Sequence, residues 1–475
     1  MFEKVFKLSE NKTNVKTELI AGLTTFMTMA YIIALNPNIL TGYGAGGAAL
    51  WNGVFLATCI ASAIGMFCMA FLANKPFAMA PGMGLNSFFA VVIGNIVAIT
   101  GASYVESFQA GLIIILVEGV VFVILSWFNI REKIVEAIPL GVRLGIAPAI
   151  GLMLMNIGFG SNDYIADENF NQFFVMKDFF GSLTAGAAQS TMGSAYPTMV
   201  LAVVTMFIGL FVIVILAKKN VKGAVLIGML AASVLHWAAQ WLILKVNPFA
   251  SLATASFVPP VKDMMDTTFF KFNFKGLLSA GLFTIVTLVI TFCMIDMFDT
   301  LGTLVGTASR ANMLDKDGNM PGLKECLMAD AFGTTVGSCL GTSTVTTFVE
   351  SAAGVEAGGR TGLTALTTGI LFLACIFLAP IAAIIPPAAT SAALIYVGVL
   401  MIANLRDIDF DDMTQALPTA LMLISMPVSG SIGHGIGLGM ISYASIKLFT
   451  GKGKEVSIVT YIIAVLFLIK FFMAV

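Results

Sequence analysis

The sequence predicts an all-α polytopic membrane protein that forms one integral domain. Of its 475 residues, 58% are hydrophobic and only 11% are charged, and the mean hydropathy is +0.96. Soluble domains usually carry about 25% charged residues. A membrane span needs about 20 mostly apolar residues, and the chain offers about fourteen or fifteen such windows between short charged or glycine-rich connections. The net charge of -1 gives no sign of nucleic-acid binding.

Residues 1–17 are predicted to form a cytoplasmic N-terminal arm. The opening sequence MFEKVFKLSENKTNVKTE lacks the basic-then-apolar order of a cleaved signal. Lys and Arg in short loops favour the cytoplasm, and the alternating connections rich in these residues can all be placed on that side. They hold Lys4, Lys7, Lys12, Lys16, Lys75, Arg131, Lys133, Lys218, Lys219, Lys222, Arg310, Lys316, Lys324, Arg360, Arg406, Lys447, Lys452 and Lys454. The acidic connection around Asp163, Asp167 and Glu168 is predicted outside.

This alternation divides the chain into two halves of opposite orientation. We expect a first seven-span repeat at 18–245 and a second, inverted seven-span repeat at 276–450. The stretch 451–475 is a C-terminal hydrophobic helix. Hydropathy does not decide whether its apolar run, Val456 to Met473, crosses the membrane or lies on its surface.

Spans 3 and 10 are predicted to be interrupted. KPFAMAPGMGLNSFFAVVIGN, Lys75 to Asn95, has an entry broken by Pro and Gly and then a half-helix from near Asn86. GTSTVTTFVESAAGVEAGGR, Gly341 to Arg360, alternates as a short extended segment before a helix of small residues. Paired interruptions in inverted halves are typical of a transporter's binding site, where helix N-termini attract polar solutes. The alternative is a pair of glycine-rich packing kinks.

Carboxylates inside spans are costly and usually face a cavity. Asp296, Asp299 and Thr303 share roughly one helical face, and Glu350 lies at the start of the second half-helix. Asp299 and Glu350 are the predicted site acids. Asp296 and Asp330 either take part in the site or brace neighbouring helices. Glu118 is expected to be a packing partner.

Two acids in an apolar cavity suit a planar heterocycle. An ionised carboxylate only accepts hydrogen bonds, whereas a protonated one also donates. One ionised and one protonated carboxyl can therefore hydrogen-bond to both the ring N–H donors and the carbonyl or ring-nitrogen acceptors of such a ligand. Stacking faces are available from Phe88, Phe89, Phe298 and Phe348, although core or lipid packing is the common role of such rings. No cysteine or histidine cluster has metal-like spacing, so we expect neither a metal ion nor a cofactor.

Four motifs resemble one transporter family. TELIAGLTTFMTMAYIIALNP, AMAPGMGLNSFFA, FDTLGTLVGTA and TSTVTTFVESAAGVEAGGRTGL are similar to the AzgA-like purine permeases, a branch of the nucleobase/cation symporter family. The resemblance runs from about residue 15 to 450. It implies fourteen spans in two inverted repeats, folded as a core domain and a gate domain, and proton-coupled uptake of purine bases.

The resemblance also implies site residues. Compared with uracil permeases of the same fold, Asp299 stands in the place of their acid and Thr303 in that of a histidine four residues later. Glu350 stands in the place of their second base-binding acid. By the same similarity, the pocket lining would include Asn86 and the backbone around Gly84 on span 3, and Ser351 beside Glu350.

These observations predict a transporter, not an enzyme, in the cell membrane with a cytoplasmic N-terminus. It would import adenine, guanine or hypoxanthine by proton symport, with Asp299, Glu350, Asp296 and Asp330 as candidate proton carriers. Homodimers through the gate domain are common for the implied fold, but the sequence does not give the oligomeric state. An anion transporter of similar architecture and a passive channel stay open as alternatives. The sequence neither ranks the purines nor separates proton from sodium coupling.

Overall fold

A computed structural model describes residues 2–128, 139–160, 196–279, 281–310, 313, 320–429 and 432–473. Several predicted loop charges lie outside these residues, namely Arg131, Lys133, Asp163, Asp167, Glu168 and Lys316. The described residues are mainly helical, and the predicted all-α class is confirmed. Nine helical stretches among them are long and apolar enough to cross a membrane. The count of fourteen spans and the repeat boundaries stay predictions.

The first half contains nine α-helices and one short strand within the described residues. Their bounds are α1 Phe2–Phe6, α2 Val15–Met29, α3 Ile32–Leu40, α4 Gly47–Cys68, β1 Met79–Pro81, α5 Met83–Thr100, α6 Tyr104–Trp127, α7 Leu140–Gly160, α8 Tyr196–Lys218 and α9 Ala224–Leu242. Helix starts follow local sequence. The Asn14 side chain accepts the Thr17 N–H at the start of α2, and Ser103 with Glu106 forms a capping box at the start of α6, as these residue types favour.

The second half contains eleven α-helices and one short strand within the described residues. The bounds are α10 Val261–Thr267, α11 Phe274–Ser279, α12 Leu282–Arg310, α13 Leu323–Leu340, β2 Val345–Thr347, α14 Ser351–Glu356, α15 Gly362–Ala374, α16 Ala379–Ala383, α17 Pro387–Ile402, α18 Met413–Ser429, α19 Ile432–Phe449 and α20 Ile458–Met473. Helix α20 packs on α19 and also contacts α12.

The helices sort into two packed groups, each drawn from both halves of the chain. In one group α13 packs on α4 and α6, and α15 packs on α2 and α4. In the other group α7 packs on α17 and α18, while α8 packs on α9 and α17. This interleaving of the two halves agrees with the expected division into a core and a gate.

The two strands pair within the first group of helices, and we call this antiparallel pair of β1 and β2 the strand crossing. β1 and β2 pair antiparallel, with Ala80 opposite Thr346, and a helix follows each strand. The predicted extended segments before the half-helices of spans 3 and 10 are therefore confirmed. Helix α5 begins at Met83 rather than near Asn86, because Gly82 in an extended conformation is its N-cap.

The N-terminal arm is packed against the first group of helices. The side chains of Phe6 and Leu8 are 1% and 2% exposed and belong to the main hydrophobic core. Asn74 Nδ2 donates to the Phe6 carbonyl at 3.0 Å, and its Oδ1 accepts the N–H of Gly362 at 2.9 Å. One asparagine thus joins the arm to the start of α15.

Candidate functional site

Of the two predicted site acids, Asp299 lies at the junction of β1 and α5. A methyl group added at Gly82 would lie 3.5 Å from Oδ2 of Asp299, so the α12 carboxyl faces the start of α5. The Asp299 carboxyl is also within electrostatic range of Glu350 and Asp330. The pairing of β1 with β2 thus brings acids from α12 and from the start of α14 to one place.

Glu350 is half-buried and is held from one side. Its Oε1 accepts a hydrogen bond of 2.7 Å from the hydroxyl of Tyr31, whose side chain is fully buried. Among the described residues other than Glu350 itself, none donates a hydrogen bond to its Oε2. Because an ionised carboxylate can accept about four hydrogen bonds, this oxygen is available to a ligand.

Asp299 and Thr303 are both half-buried, and their side-chain polar atoms have no hydrogen-bond partner among the described residues. No hydrogen bond from a described residue reaches the Asp299 carboxyl or the Thr303 hydroxyl. Buried polar groups are normally hydrogen-bonded, because leaving them unpaired costs free energy. The acceptors of Asp299 and Glu350 are accessible at half-buried positions, and the two acids lie within electrostatic range of each other. A solute that carries hydrogen-bond donors could therefore pair with them.

Ser351, another predicted site residue, is used to brace the strand crossing. Its Oγ accepts the N–H of Ala78 at 2.9 Å and lies 3.4 Å from the Ala78 carbonyl. The same carbonyl accepts the N–H of Phe348 at 3.0 Å. Ser351 thus joins α14 to the chain that enters β1.

Asn86 and Gly84 also have packing roles in this structure. Asn86 is fully buried, donates to the Pro81 carbonyl at 3.1 Å, and accepts a short hydrogen bond from the Ser343 hydroxyl. A methyl group at Gly84 would lie 2.8 Å from Cγ2 of Ile150, so α5 and α7 approach closely there. Both residues keep the half-helix against its neighbours.

Asp296 and Asp330 lie behind β2 and are fully buried. The Thr300 hydroxyl is 3.1 Å from an Asp296 oxygen and 2.9 Å from an Asp330 oxygen. It also contacts the Thr346 hydroxyl. These side chains tie α12, α13 and β2 together, as the bracing interpretation expects.

Glu118 occupies a further buried position behind the strands. Its Oε2 accepts a 2.7 Å hydrogen bond from the Thr344 hydroxyl, and the Thr344 carbonyl accepts the N–H of Gly82 at 3.0 Å. Gly119 lets the helix approach Thr335 closely, since a methyl group there would lie 2.8 Å from the Thr335 nitrogen. These contacts agree with the predicted packing role.

The predicted stacking rings are mostly part of the core. Phe88 and Phe89 have ring centroids 4.7 and 6.3 Å from that of Phe292, and their side chains are buried. Phe348 is also buried, and the side chain of Phe298 lies outside the described residues. Rings that are packed this way need to move before they can stack on a base.

Tyr31 was not predicted as a site residue. It lies in the apolar motif MAYIIALNP, at the break where α2 ends and α3 begins, and its partner Glu350 is 319 positions away. The Tyr31 hydroxyl, in a stretch that is mostly apolar, was the one local signal that this residue could take part in the site.

Comparison with known proteins identifies relatives along nearly the whole chain. The model of a permease family matches residues 16–184 and 173–438. The adenine permease AdeP of Escherichia coli is 35% identical over 99% of this chain and 96% of its own length. The guanine/hypoxanthine permease PbuO of Bacillus subtilis is 36% identical over 98% of this chain and 100% of its own length.

A solved structure supports the architecture. The transmembrane domain of the bicarbonate transporter BicA from a cyanobacterium superposes with a TM-score of 0.60 over 89% of this chain and 97% of its own, at 15% identity. At that identity the likeness shows the fold alone, an inverted-repeat transporter fold. The resemblance is confirmed at the family level, while the AzgA-like branch stays a prediction. By the extent of the family match and the identity of its full-length relatives, this chain belongs to the permease family and is a membrane transporter.

Proposed function

We propose that this permease is a secondary active transporter that imports purine bases together with protons. The observation that carries the proposal is the pair Asp299 and Glu350, which lie within electrostatic range of each other. No other described residue donates a hydrogen bond to the Asp299 carboxyl, and the Tyr31 hydroxyl occupies only Oε1 of Glu350. The names of two full-length relatives, an adenine permease and a guanine/hypoxanthine permease, support the substrate class.

The two acids have different roles in this proposal. Glu350, already oriented by Tyr31, is the anionic acceptor for an N–H group of the base. Asp299 accepts no hydrogen bond from the described part of the chain, so it can take up a proton and still contact the base. Thr303 contacts the same ligand through its hydroxyl. Asp296 and Asp330 are the next candidates for the proton.

An anion transporter is the less favourable alternative. A pocket with two carboxyl groups repels anions at short range, and the likeness to a bicarbonate transporter extends only to the fold. A passive channel would show flux that neither saturates nor responds to a proton gradient.

The proposal includes a location and an assembly. The protein lies in the cell membrane with its N-terminus in the cytoplasm, since this orientation places the lysine-rich connections inside. A homodimer through the gate helices α7–α9 and α17–α19 is the expected assembly.

The test is uptake of labelled hypoxanthine into membrane vesicles, in competition with a panel of purine bases. We expect accumulation under an imposed pH difference, its collapse on addition of an uncoupler, and none from a sodium gradient alone. Saturable purine uptake driven by sodium at constant pH would contradict proton coupling. Absence of purine uptake would contradict the substrate class.

The variant Asp299→Asn separates binding from coupling. An amide keeps the shape of the side chain but takes up no proton, so counterflow exchange of bound base should persist while net accumulation is lost. Asp411→Asn, the same change at an exposed loop residue, is the matched control and should accumulate normally. If Asp299→Asn still accumulates base, the proton carrier is not Asp299, and Glu350, Asp296 and Asp330 are the next candidates.

A further inference from the structure

We propose that Tyr31 is a positioning residue that fixes the orientation of the Glu350 carboxyl toward the transported base. The inference rests on the proposed function, because the base is the ligand to which the oriented carboxyl would hydrogen-bond. It assigns to span 1 a part in substrate selection.

The geometry isolates one contact between Tyr31 and Glu350. The Tyr31 side chain is fully buried, and its hydroxyl lies 2.7 Å from Glu350 Oε1. Among the described residues, Glu350 is its hydrogen-bond partner, and no second acceptor is available to it. Hydrogen bonds to an ionised acceptor are short and strong, and a buried hydroxyl without a partner is costly. The contact therefore holds both side chains in place.

Glu350 depends on this contact for its orientation. The terminal torsion of a glutamate side chain is only weakly restricted by its own covalent structure. Glu350 precedes the six-residue helix α14. Apart from its own main-chain N–H, the part of the chain that the structure describes offers its carboxyl one donor, the Tyr31 hydroxyl. With Oε1 held, Oε2 is the oxygen presented to a ligand.

The position of Tyr31 explains why it can act in this way. It lies between α2 and α3, where the Ala30 N–H still bonds to Phe26 and Tyr31 begins the next helix. This break places a phenol inside the helix group that also holds β2 and α14. The neighbouring Thr28 hydroxyl lies 3.5 Å from the Glu350 main-chain carbonyl, a much longer contact.

The experiment compares Tyr31→Phe with Tyr104→Phe. Both changes remove one phenol hydroxyl with a recorded acceptor, since Tyr104 donates to the Leu40 carbonyl at 3.0 Å. In hypoxanthine uptake we expect Tyr31→Phe to raise KM by about fivefold or more with kcat within about twofold, because it loosens ground-state binding. Tyr104→Phe should leave KM within about twofold of wild type. Equal KM values for wild type and Tyr31→Phe would overturn the proposal.

The contact between Tyr31 and Glu350 can also be tested by thermal unfolding, which needs no substrate and so does not depend on which solute is transported. In a double-mutant cycle on purified protein, Tyr31→Phe should lower Tm in the wild type. In Glu350→Ala, where the buried hydroxyl has lost this partner, the same change should leave Tm unchanged or raise it. Equal shifts in both backgrounds would overturn the contact itself. Wild-type protein that binds no purine base would overturn the proposed function and the role toward the base, even if the cycle shows coupling. Normal wild-type uptake with an unchanged KM in Tyr31→Phe would overturn only the role of Tyr31.

Discussion

Glu18 and Glu350 are both glutamates inside the helix group, but their carboxyls are bound in opposite ways. Glu18 on α2 is fully buried, and four donors at the start of α15 fill its two oxygens. The donors are the N–H groups of Arg360, Thr361 and Thr364, at 2.9, 3.3 and 3.2 Å, and the Thr364 hydroxyl at 2.6 Å. Glu350 is half-buried, and apart from its own main-chain N–H it has one donor among the described residues, the Tyr31 hydroxyl.

Under the proposed function, the difference separates a structural carboxylate from a ligand-binding one. A carboxylate that accepts several backbone N–H groups at a helix start satisfies donors that the helix itself leaves unpaired. Such a group has no acceptor capacity for a ligand. In the proposed function Glu350 keeps one oxygen for a solute, and the number of donors, rather than the difference in burial alone, separates the two residues.

The largest effect is expected for Glu18→Ala, and it is on stability. The change leaves buried N–H groups without acceptors, so the free energy of unfolding should fall by about 3 kcal/mol or more. Denaturant unfolding of the purified protein measures this loss. The folded fraction should bind purine bases with an affinity within about threefold of wild type, or about 0.6 kcal/mol. Normal stability combined with lost purine binding would show that Glu18 is a binding residue and not a structural one.

Glu350→Gln is expected to have the opposite profile. It keeps the shape of the side chain but removes the charge, so affinity for the preferred purine should fall by about tenfold or more, at least about 1.4 kcal/mol. The Tm should stay near that of wild type. Equilibrium binding and thermal unfolding of the same preparation measure both quantities. An affinity within about threefold of wild type would remove Glu350 from the site.

The smallest effect is expected for Thr28→Val. The Thr28 hydroxyl donates mainly to the Thr25 carbonyl at 2.8 Å and lies 3.5 Å from the Glu350 main chain. Because the latter is too long for a strong hydrogen bond, affinity and stability should each change by less than about 0.5 kcal/mol. A larger loss of purine affinity, measured by equilibrium binding, would show that Glu350 is held through its backbone as well as by Tyr31.

The sequence predicted the fold and the two acids because both depend on local signals. Apolar windows mark the helices, and an ionisable residue inside such a window is rare enough to indicate a site. The interrupted spans were recognisable from Pro, Gly and alternating residues near Gly82 and Val345, and the strands were found there.

The contacts that distinguish Glu18, Glu350 and their neighbours were not predictable in this way. Glu18 lies where the predicted arm meets the first span, and a charge at a membrane boundary is ordinary. Its donors follow 342 to 346 positions later in the chain. The bracing roles of Asn86 and Ser351 likewise depend on the register of β1 and β2, which only the folded chain defines.

The most direct test of the central claim is equilibrium binding of a purine base and its N-methyl analogues to wild type and Glu350→Gln. If Glu350 accepts an N–H of the base, methylation of that nitrogen should weaken wild-type binding by about tenfold or more and binding to Glu350→Gln by less than about threefold. Methylation at nitrogens that Glu350 does not contact should affect both proteins equally. If every analogue loses affinity by the same factor in both proteins, Glu350 does not accept a hydrogen bond from the base.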